Sequence, residues 1–379
     1  MGTDLGNRRG GEIRRHRLKC MRVLALVTDA YGGYGGIAQY NCDLFQALCA
    51  SPSVEQIVVL PRTGRHESVG APSTLIQLEP KLGRFAYSLK ALETARAMGP
   101  FDLVFCGHLF HAPLAGAVAG LFGIPVWVQM HGVDAWERPS LLLRAAIRRT
   151  ALVTTVSRYT RRRVLSWAEL GPDRVRVLPN TVRPIFTPGP RSESVLDKFG
   201  LTGAKVILTV SRIDRTDAYK GHERVIEALS AVRLAEPRAV YAVVGDGDRR
   251  AHVEAVAEQR GLGRAVHFLG RLSDDDVLAL YRSADVFVMP STKEGFGIVF
   301  VEAAATGLPV IAGNRDGSVD ALADGAIGRL IDPLSQHELV AALIDGLRGP
   351  RFQHLDEVRR FSLANFAKQV DALVLTIAR

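Results

Sequence analysis

Short apolar runs alternate with longer segments whose apolar positions recur every three or four residues, starting near residue 21. The Val- and Leu-rich run Arg22–Thr28 opens the series, and Tyr40, Leu44 and Leu48 then repeat at helical spacing within Ile37–Cys49. The same pattern predicts strands at Gln56–Leu60, Leu103–Cys106, Val126–Met130, Leu152–Val156 and Val175–Val177, with helices between them, including Phe85–Met98 and Leu141–Arg149. Strands that are apolar throughout and separated by helices describe a parallel sheet covered on both faces. The uncharged run Ala112–Met130 is broken by Pro113, Gly123 and Pro125, so it reads as a buried helix and a buried strand, not as a membrane span.

The alternation pauses at Asn180–Pro190, where Pro184, Pro188 and Pro190 mark a linker, and then begins again. Strands are predicted at Lys205–Val210, Ala239–Val244, Val266–Leu269, Val286–Met289 and Val310–Ala312, with a helix near Glu223–Ala235. Two such blocks in 379 residues predict an α/β protein of two doubly wound, Rossmann-like domains, at 21–182 and 183–350. Residues 351–379 are expected to be helical and to cross back to the first domain. Residues 1–20, with Arg8, Arg9, Arg14, Arg15, Arg17 and Lys19, are expected to be a disordered basic tail. They hold no apolar stretch of the kind a secretory signal needs, and Met21 is an alternative start.

Composition adds little to this picture; charge and cysteine placement add more. Hydrophobic residues make up 47% and charged residues 23%, ordinary for a globular chain. Cys20, Cys42, Cys49 and Cys106 are scattered, which argues against a disulfide framework or a zinc site and for a reducing cytoplasm. The net charge is +9, and one basic stretch lies inside the fold: Arg138, Arg144, Arg148, Arg149, Arg158, Arg161, Arg162 and Arg163. It reads either as a solvated helix face or as a surface for anionic lipid or an acidic acceptor. Leu82–Arg96, which mixes Phe85, Leu89 and Leu92 with Arg84, Lys90 and Arg96, would join it against an anionic membrane surface. Nucleic acid is not an expected partner, since Tyr159 alone is interleaved among these arginines.

In doubly wound sheets ligands bind beyond the carboxyl ends of strands. Ser291–Glu302 lies at such a place, with a loop followed by a helix expected to start near Gly297. Backbone N–H groups around Phe296, Gly297, Ile298 and Val299 would favour a diphosphate. Eight helical residues would separate Glu294 from Glu302 by about 12 Å, enough for a sugar hydroxyl at one end and a ribose at the other. A surface loop and a solvated glutamate form the competing reading.

Glu294-x7-Glu302 in this setting resembles the Glu-x7-Glu motif of the family 4 glycosyltransferases, and the similarity runs over nearly the whole chain from Met21. That resemblance implies a GT-B fold, with the two domains facing each other across a cleft, and a retaining, metal-independent transfer of a hexose from a nucleotide-diphosphate sugar. Arg212 and Lys220 stand where the family keeps an Arg and a Lys that neutralise the donor diphosphate, although they lie further apart in sequence here than is usual. Gly35 and Gly36, in Tyr31–Gly36, match the loop beside the diphosphate. His131 matches a histidine that contacts the donor sugar near the reacting carbon. Asp134 is a candidate acceptor contact, and Asn180 matches a position at the interdomain crossing. Gly245 and Arg271 match loops that hold the nucleoside. Asp320 replaces a family glutamate and takes over no role.

The resemblance implies no cofactor, a UDP-sugar or GDP-sugar donor, and a glycan or lipid-linked acceptor. The expected location is cytoplasmic, peripheral on the inner face of the plasma membrane. Two other classes stay open. An epimerase of this fold would convert donor alone, and a noncatalytic sugar-nucleotide sensor would bind without turnover. Leaving-group stabilisation by Arg212 and Lys220 argues for transfer, because a sensor needs none.

Overall fold

A computed structural model describes residues 20–64, 70–351 and 355–377; the expected disordered tail lies outside these except for Cys20. Strands β1 (Met21–Val27), β2 (Val54–Pro61), β3 (Leu75–Gln77), β4 (Leu103–Cys106), β5 (Val126–Met130), β6 (Leu152–Thr155) and β7 (Val175–Val177) form one sheet, ordered β3-β2-β1-β4-β5-β6-β7. Strands β8 (Lys205–Val210), β9 (Ala239–Val244), β10 (Val266–Gly270), β11 (Val286–Met289), β12 (Val310–Gly313) and β13 (Arg329–Ile331) form a second, ordered β10-β9-β8-β11-β12-β13. Neighbouring strands pair in parallel in both sheets. The predicted strands fall within a residue or two of these bounds. β3 and β13 were not predicted.

Strand order reverses between β1 and β4 in the first sheet and between β8 and β11 in the second. At such a switch point the two flanking strands send their helices to opposite faces and leave a crevice. The loops Thr28–Gly35 and Gly107–His111 border one crevice, and Ser211–Lys220 and Pro290–Gly297 border the other.

Side-chain alternation divides the core. Leu24 and Leu26 of β1 face the helices Arg84–Ala97 and Ala112–Phe122. Val23, Ala25 and Val27 face the helix Gly36–Ala50 and belong to an apolar cluster that continues into the second domain through Phe287, Phe300 and Phe366. Ile207, Val243 and Val288 belong to a third cluster, on the outer face of the second sheet. The cluster shared between the domains lies beside the crossing: Thr181 Oγ1 and the Val182 N–H both donate to the Phe361 carbonyl, at 2.7 and 2.8 Å. Beyond it the helix Leu363–Ile377 returns to the first domain, where Phe366 meets Tyr40 edge-to-face at 5.8 Å and Ser51 donates to Asp371.

Much of the interior arginine stretch is tied to partners within the fold, while Arg138 and Arg149 stay exposed. Arg144 and Arg148 pair with Glu169, and Arg158 pairs with Asp320 and Asp324. Arg161 donates to the Val175 and Pro172 carbonyls, and Arg163 donates to that of Trp136. Sequence could not anticipate this, because the partners are distant acids and backbone carbonyls.

Phe366 is 2% exposed. Phe366→Ala is expected to destabilise the protein by about 3–5 kcal/mol, read as a lowered urea midpoint, through the cavity left between the return helix and Tyr40.

Candidate active site

The loop after β5 in the first domain meets the loop after β11 in the second, backbone against backbone. A Cβ on Gly132 would sit 2.4 Å from Gly295 Cα, and one on Gly295 would sit 2.1 Å from the His131 carbonyl oxygen. Gly132 also has φ 135°, which L side chains rarely adopt. On the other side of Gly295, a Cβ on Gly317 would lie 2.0 Å from the Gly295 oxygen. The loop bearing Glu294 is therefore held between residues 131–132 of one domain and residues 316–317 of its own. Asp316 accepts the Glu294 N–H at 2.6 Å, and the Gly317 N–H donates to the Glu294 carbonyl at 2.8 Å.

Glu294 and Lys220 come together, Oε1 to Nζ 3.2 Å, with side chains only 12% and 14% exposed. A 3₁₀ turn, Arg215–Lys220, achieves this by coiling the chain between Arg212 and Lys220. It ends at Gly221, whose φ of 86° and 2.9 Å approach to Pro290 leave no room for a side chain. Arg212 stays mostly exposed and pairs with buried Asp217 at 3.1 Å; Tyr219 donates to the same carboxylate at 3.0 Å. Burial, followed by the Glu294 and Asp217 charges, pushes the Tyr219 phenol well above its ordinary range. Arg212, Lys220 and Glu294 thus share one neighbourhood, despite the unusual sequence spacing. Sequence reasoning missed Asp217, Tyr219 and Asp316. Only the turn between Arg212 and Lys220 hinted at the first two.

His222 lies beneath this group. Tyr241 donates to Thr209 at 3.0 Å, so His222 Nδ1–H donates to Tyr241, and Nε2 accepts from Ser211 Oγ, both at 2.9 Å. Burial lowers its pKa to about 4, so it stays neutral and supports the loop carrying Arg212.

Across the cleft His131 Nε2 donates to the Gly107 carbonyl at 2.9 Å, and its ring packs edge-to-face on Tyr40 at 5.2 Å. Burial lowers its pKa to about 4 against the pull of Asp134, leaving a neutral ring whose Nδ1 accepts. Asp134 Oδ1 takes the His131 N–H at 3.1 Å. Gly35, with φ 90°, caps the helix Gly36–Ala50, and Cβ atoms on Gly35 or Gly36 would meet open space.

The helix after the Glu294 loop runs Ile298–Ala305, with Gly297 as an N-cap at φ 84° and no side chain capping it. Its first N–H groups are therefore not taken by a capping side chain. Phe296 is buried against Phe361, with ring centroids 5.6 Å apart. Residues 294–297 precede the helix, so the expected helical rise from Glu294 to Glu302 does not hold as drawn. Glu302 is buried and accepts from Tyr281 at 3.2 Å; burial raises its pKa to about 7, while Arg183 opposes the rise. Gly245 has φ 130°, and a Cβ there would lie 1.9 Å from the Ser211 carbonyl. Packing alone thus requires that glycine. Arg271 is exposed. Asn180 Oδ1 is buried without a hydrogen-bond partner beside the crossing. Among the described residues no group of three or more His, Cys, Asp or Glu is arranged to hold a metal ion.

Residues 194–361 match the family described as glycosyl transferases group 1, and residues 34–184 match glycosyltransferase family 4. A GDP-mannose-dependent alpha-(1-6)-phosphatidylinositol monomannoside mannosyltransferase of Mycolicibacterium smegmatis is 30% identical over 74% of this chain and 74% of its own. A 2-deoxystreptamine glucosyltransferase of Streptomyces kanamyceticus is 34% identical over 59% of this chain and 62% of its own. The crystal structure of Anabaena HepE with UDP and glucose superposes with a TM-score of 0.77 at 21% identity, covering 94% of this chain and 100% of that one. The lipopolysaccharide outer core galactosyltransferase WaaB superposes at 0.72 and 16% identity, covering 94% and 99%. At these identities the two structures speak for the fold.

Gly295→Ala should cut turnover about 100-fold or more while the protein stays folded, because its methyl group displaces the His131 backbone and moves the loops carrying His131 and Glu294. Steady-state kinetics beside a circular-dichroism spectrum would check this.

Proposed function

The chain belongs to the group 1 glycosyltransferases, and on that premise we propose a retaining, metal-independent transfer of a hexose from a nucleotide-diphosphate sugar to a lipid-linked acceptor. Both its two-domain GT-B fold and its activity as a glycosyltransferase follow from the similarities above. The observation that carries the finer reading is the Lys220–Glu294 pair beside Arg212, directly across the glycine contact from His131.

In this reading Arg212, Lys220 and the N–H groups opening the Ile298–Ala305 helix hold the donor diphosphate. The bond between the sugar's anomeric carbon and the phosphate oxygen breaks, and the acceptor oxygen bonds to that carbon on the same face. The acceptor's proton passes to the departing phosphate oxygen. Negative charge grows on that phosphate as the bond opens, and fixed cations stabilise it. Glu294 orients Lys220 and takes a hydroxyl of the transferred sugar; neutral His131 meets the sugar from the other domain. Gly35 and Gly36 leave room for phosphate, while Gly245 and Arg271 border the nucleoside. Buried Glu302 reaches the ribose only if it exchanges its Tyr281 bond. GDP-mannose is the proposed donor and a sugar or cyclitol head group on a lipid the proposed acceptor, as the name of the M. smegmatis relative suggests.

We place the protein in the cytoplasm, against the inner face of the plasma membrane. No helix among the described residues is long and apolar enough to cross a membrane. Contact would come from the Arg84–Ala97 helix, where Leu82, Phe85 and Leu89 are exposed by 72%, 78% and 53% beside Lys81, Arg84 and Lys90. Arg138 and Arg149 remain exposed on the same domain.

Glu294→Gln and Lys220→Met should each lower kcat by about 10²–10³-fold, as loss of a charge partner at a developing anion does elsewhere. Near-normal transfer by Glu294→Gln would overturn the assignment. Calorimetry with GDP and UDP should favour GDP. Co-sedimentation with liposomes should rise with anionic lipid and fall with salt, and binding indifferent to both removes the membrane from the reading.

A further inference from the structure

The carboxyl ends of β4 and β5 present a hydrogen-bond donor and an acceptor that do not satisfy each other. His108 follows β4 and caps the 3₁₀ turn Leu109–His111, its Nδ1 accepting the Phe110 N–H at 3.3 Å. An imidazole that accepts at Nδ1 carries its proton on Nε2 when neutral. Burial favours the neutral form by lowering the His108 pKa, although Asp134 opposes this. Nε2–H therefore faces Asp134 Oδ2 as a donor. The two atoms are 4.0 Å apart, beyond hydrogen-bond reach.

Asp134 Oδ2 is buried with no hydrogen-bond partner, whereas Oδ1 takes the His131 N–H. An unmet buried acceptor is destabilising, and more so when charged. Only a group that both donates and accepts can satisfy both atoms at once. An alcohol oxygen about 2.8 Å from each fits the gap, donating to Oδ2 and accepting from Nε2. Neither a phosphate nor an ammonium ion would satisfy both.

This pair lies beside the reacting end of the cleft. The His108 and His131 ring centroids are 6.2 Å apart, and His131 leads directly into the Gly132–Gly295 contact. Phe110 is 64% exposed, and its ring lies 5.0 Å from that of His108, forming an apolar plate next to the polar gap. A sugar or cyclitol ring has both required faces, with C–H groups to cover an aromatic ring and hydroxyls at its rim. We infer that His108 Nε2–H and Asp134 Oδ2 hold one ring hydroxyl of the acceptor, so that the acceptor terminates in a polyol ring. The held hydroxyl is a neighbour of the one that becomes glycosylated, and it registers the ring for attack. This assignment rests on the sugar-transfer reading above and names its acceptor class.

Kinetics with GDP-mannose as donor, and methyl α-D-mannopyranoside, its monodeoxy analogues and myo-inositol as acceptors, test it. For wild type, one monodeoxy analogue should remain a substrate with a KM raised about tenfold or more. His108→Ala and Asp134→Asn should raise the KM of the parent acceptor by a similar factor and no longer distinguish that analogue. Donor KM should stay unchanged. His108→Gln, whose amide N–H reaches about as far as Nε2–H, should restore most of the affinity. The inference is overturned if wild type uses and binds none of these polyols. It is also overturned if donor KM rises and kcat falls together with the loss of acceptor affinity, or if His108→Gln behaves like His108→Ala. Failure of the underlying reading is separable, because it would appear as loss of GDP binding and of donor hydrolysis in the wild type.

Discussion

At one point in this molecule backbone segments of the two domains touch with no side chain between them, and the proposed site is arranged around that contact. Gly132 and Gly295 meet so closely that even a methyl group would force backbone apart. The residue before each is one to which the proposed function gives a role: His131 on one side, Glu294 on the other. Because backbone positions fix the two side chains relative to each other, the site does not rely on long flexible arms to bridge the cleft. Gly317 and Asp316 hold the same loop from behind, by contact and by two hydrogen bonds. The parallel topology makes such a meeting possible, since both switch points open toward the carboxyl edges of their sheets.

The two walls of the cleft differ in charge. On the second domain Lys220 pairs with Glu294, and Arg212, mostly exposed, pairs with Asp217 and Asp214. On the first domain His111 and His131 have pKa values lowered to about 4, in both cases mainly by burial. At neutral pH these rings bear no charge. In the proposed reading a diphosphate would be drawn to the second domain, while hydroxyl groups would meet neutral histidines on the first.

Much of this was legible in the chain. Strand runs were readable because strands covered on both faces are apolar throughout, and the loops that follow them were where chemistry had to lie. Lys220 was harder to place, because its distance from Arg212 in sequence says nothing of the 3₁₀ turn that folds the interval away. Glu302 illustrates the limit. Its spacing from Glu294 suggested an open ligand contact, but which face of a short helix is covered depends on Tyr281, twenty-one residues upstream. The interior arginines misled for the same reason, since run-length reveals charge and not partners such as Glu169, Asp320 and Asp324. His108 attracted no attention in sequence. Its meaning comes from the tautomer that the Phe110 N–H imposes, and that is a property of the turn.

The ties between the domains are unequal. Along the crossing an apolar cluster runs without a break from β1 through Phe287 and Phe300 to Phe366, reinforced by the bonds from Thr181 and Val182 to Phe361. Elsewhere Arg158 of the first domain reaches Asp320 at 2.7 Å and Asp324 at 2.6 Å in the second, but its side chain is 51% exposed. An exposed ion pair contributes about 0–1 kcal/mol, whereas parting buried apolar surface costs about 25 cal/mol for every Å² returned to water. Separation of the domains is therefore cheapest at Arg158 and dearest at the crossing. A rotation that spares the shared core swings the Glu294 loop away from His131 while leaving the internal bonds of each wall intact. The glycine contact can then break and re-form as a unit, with each half of the site already assembled.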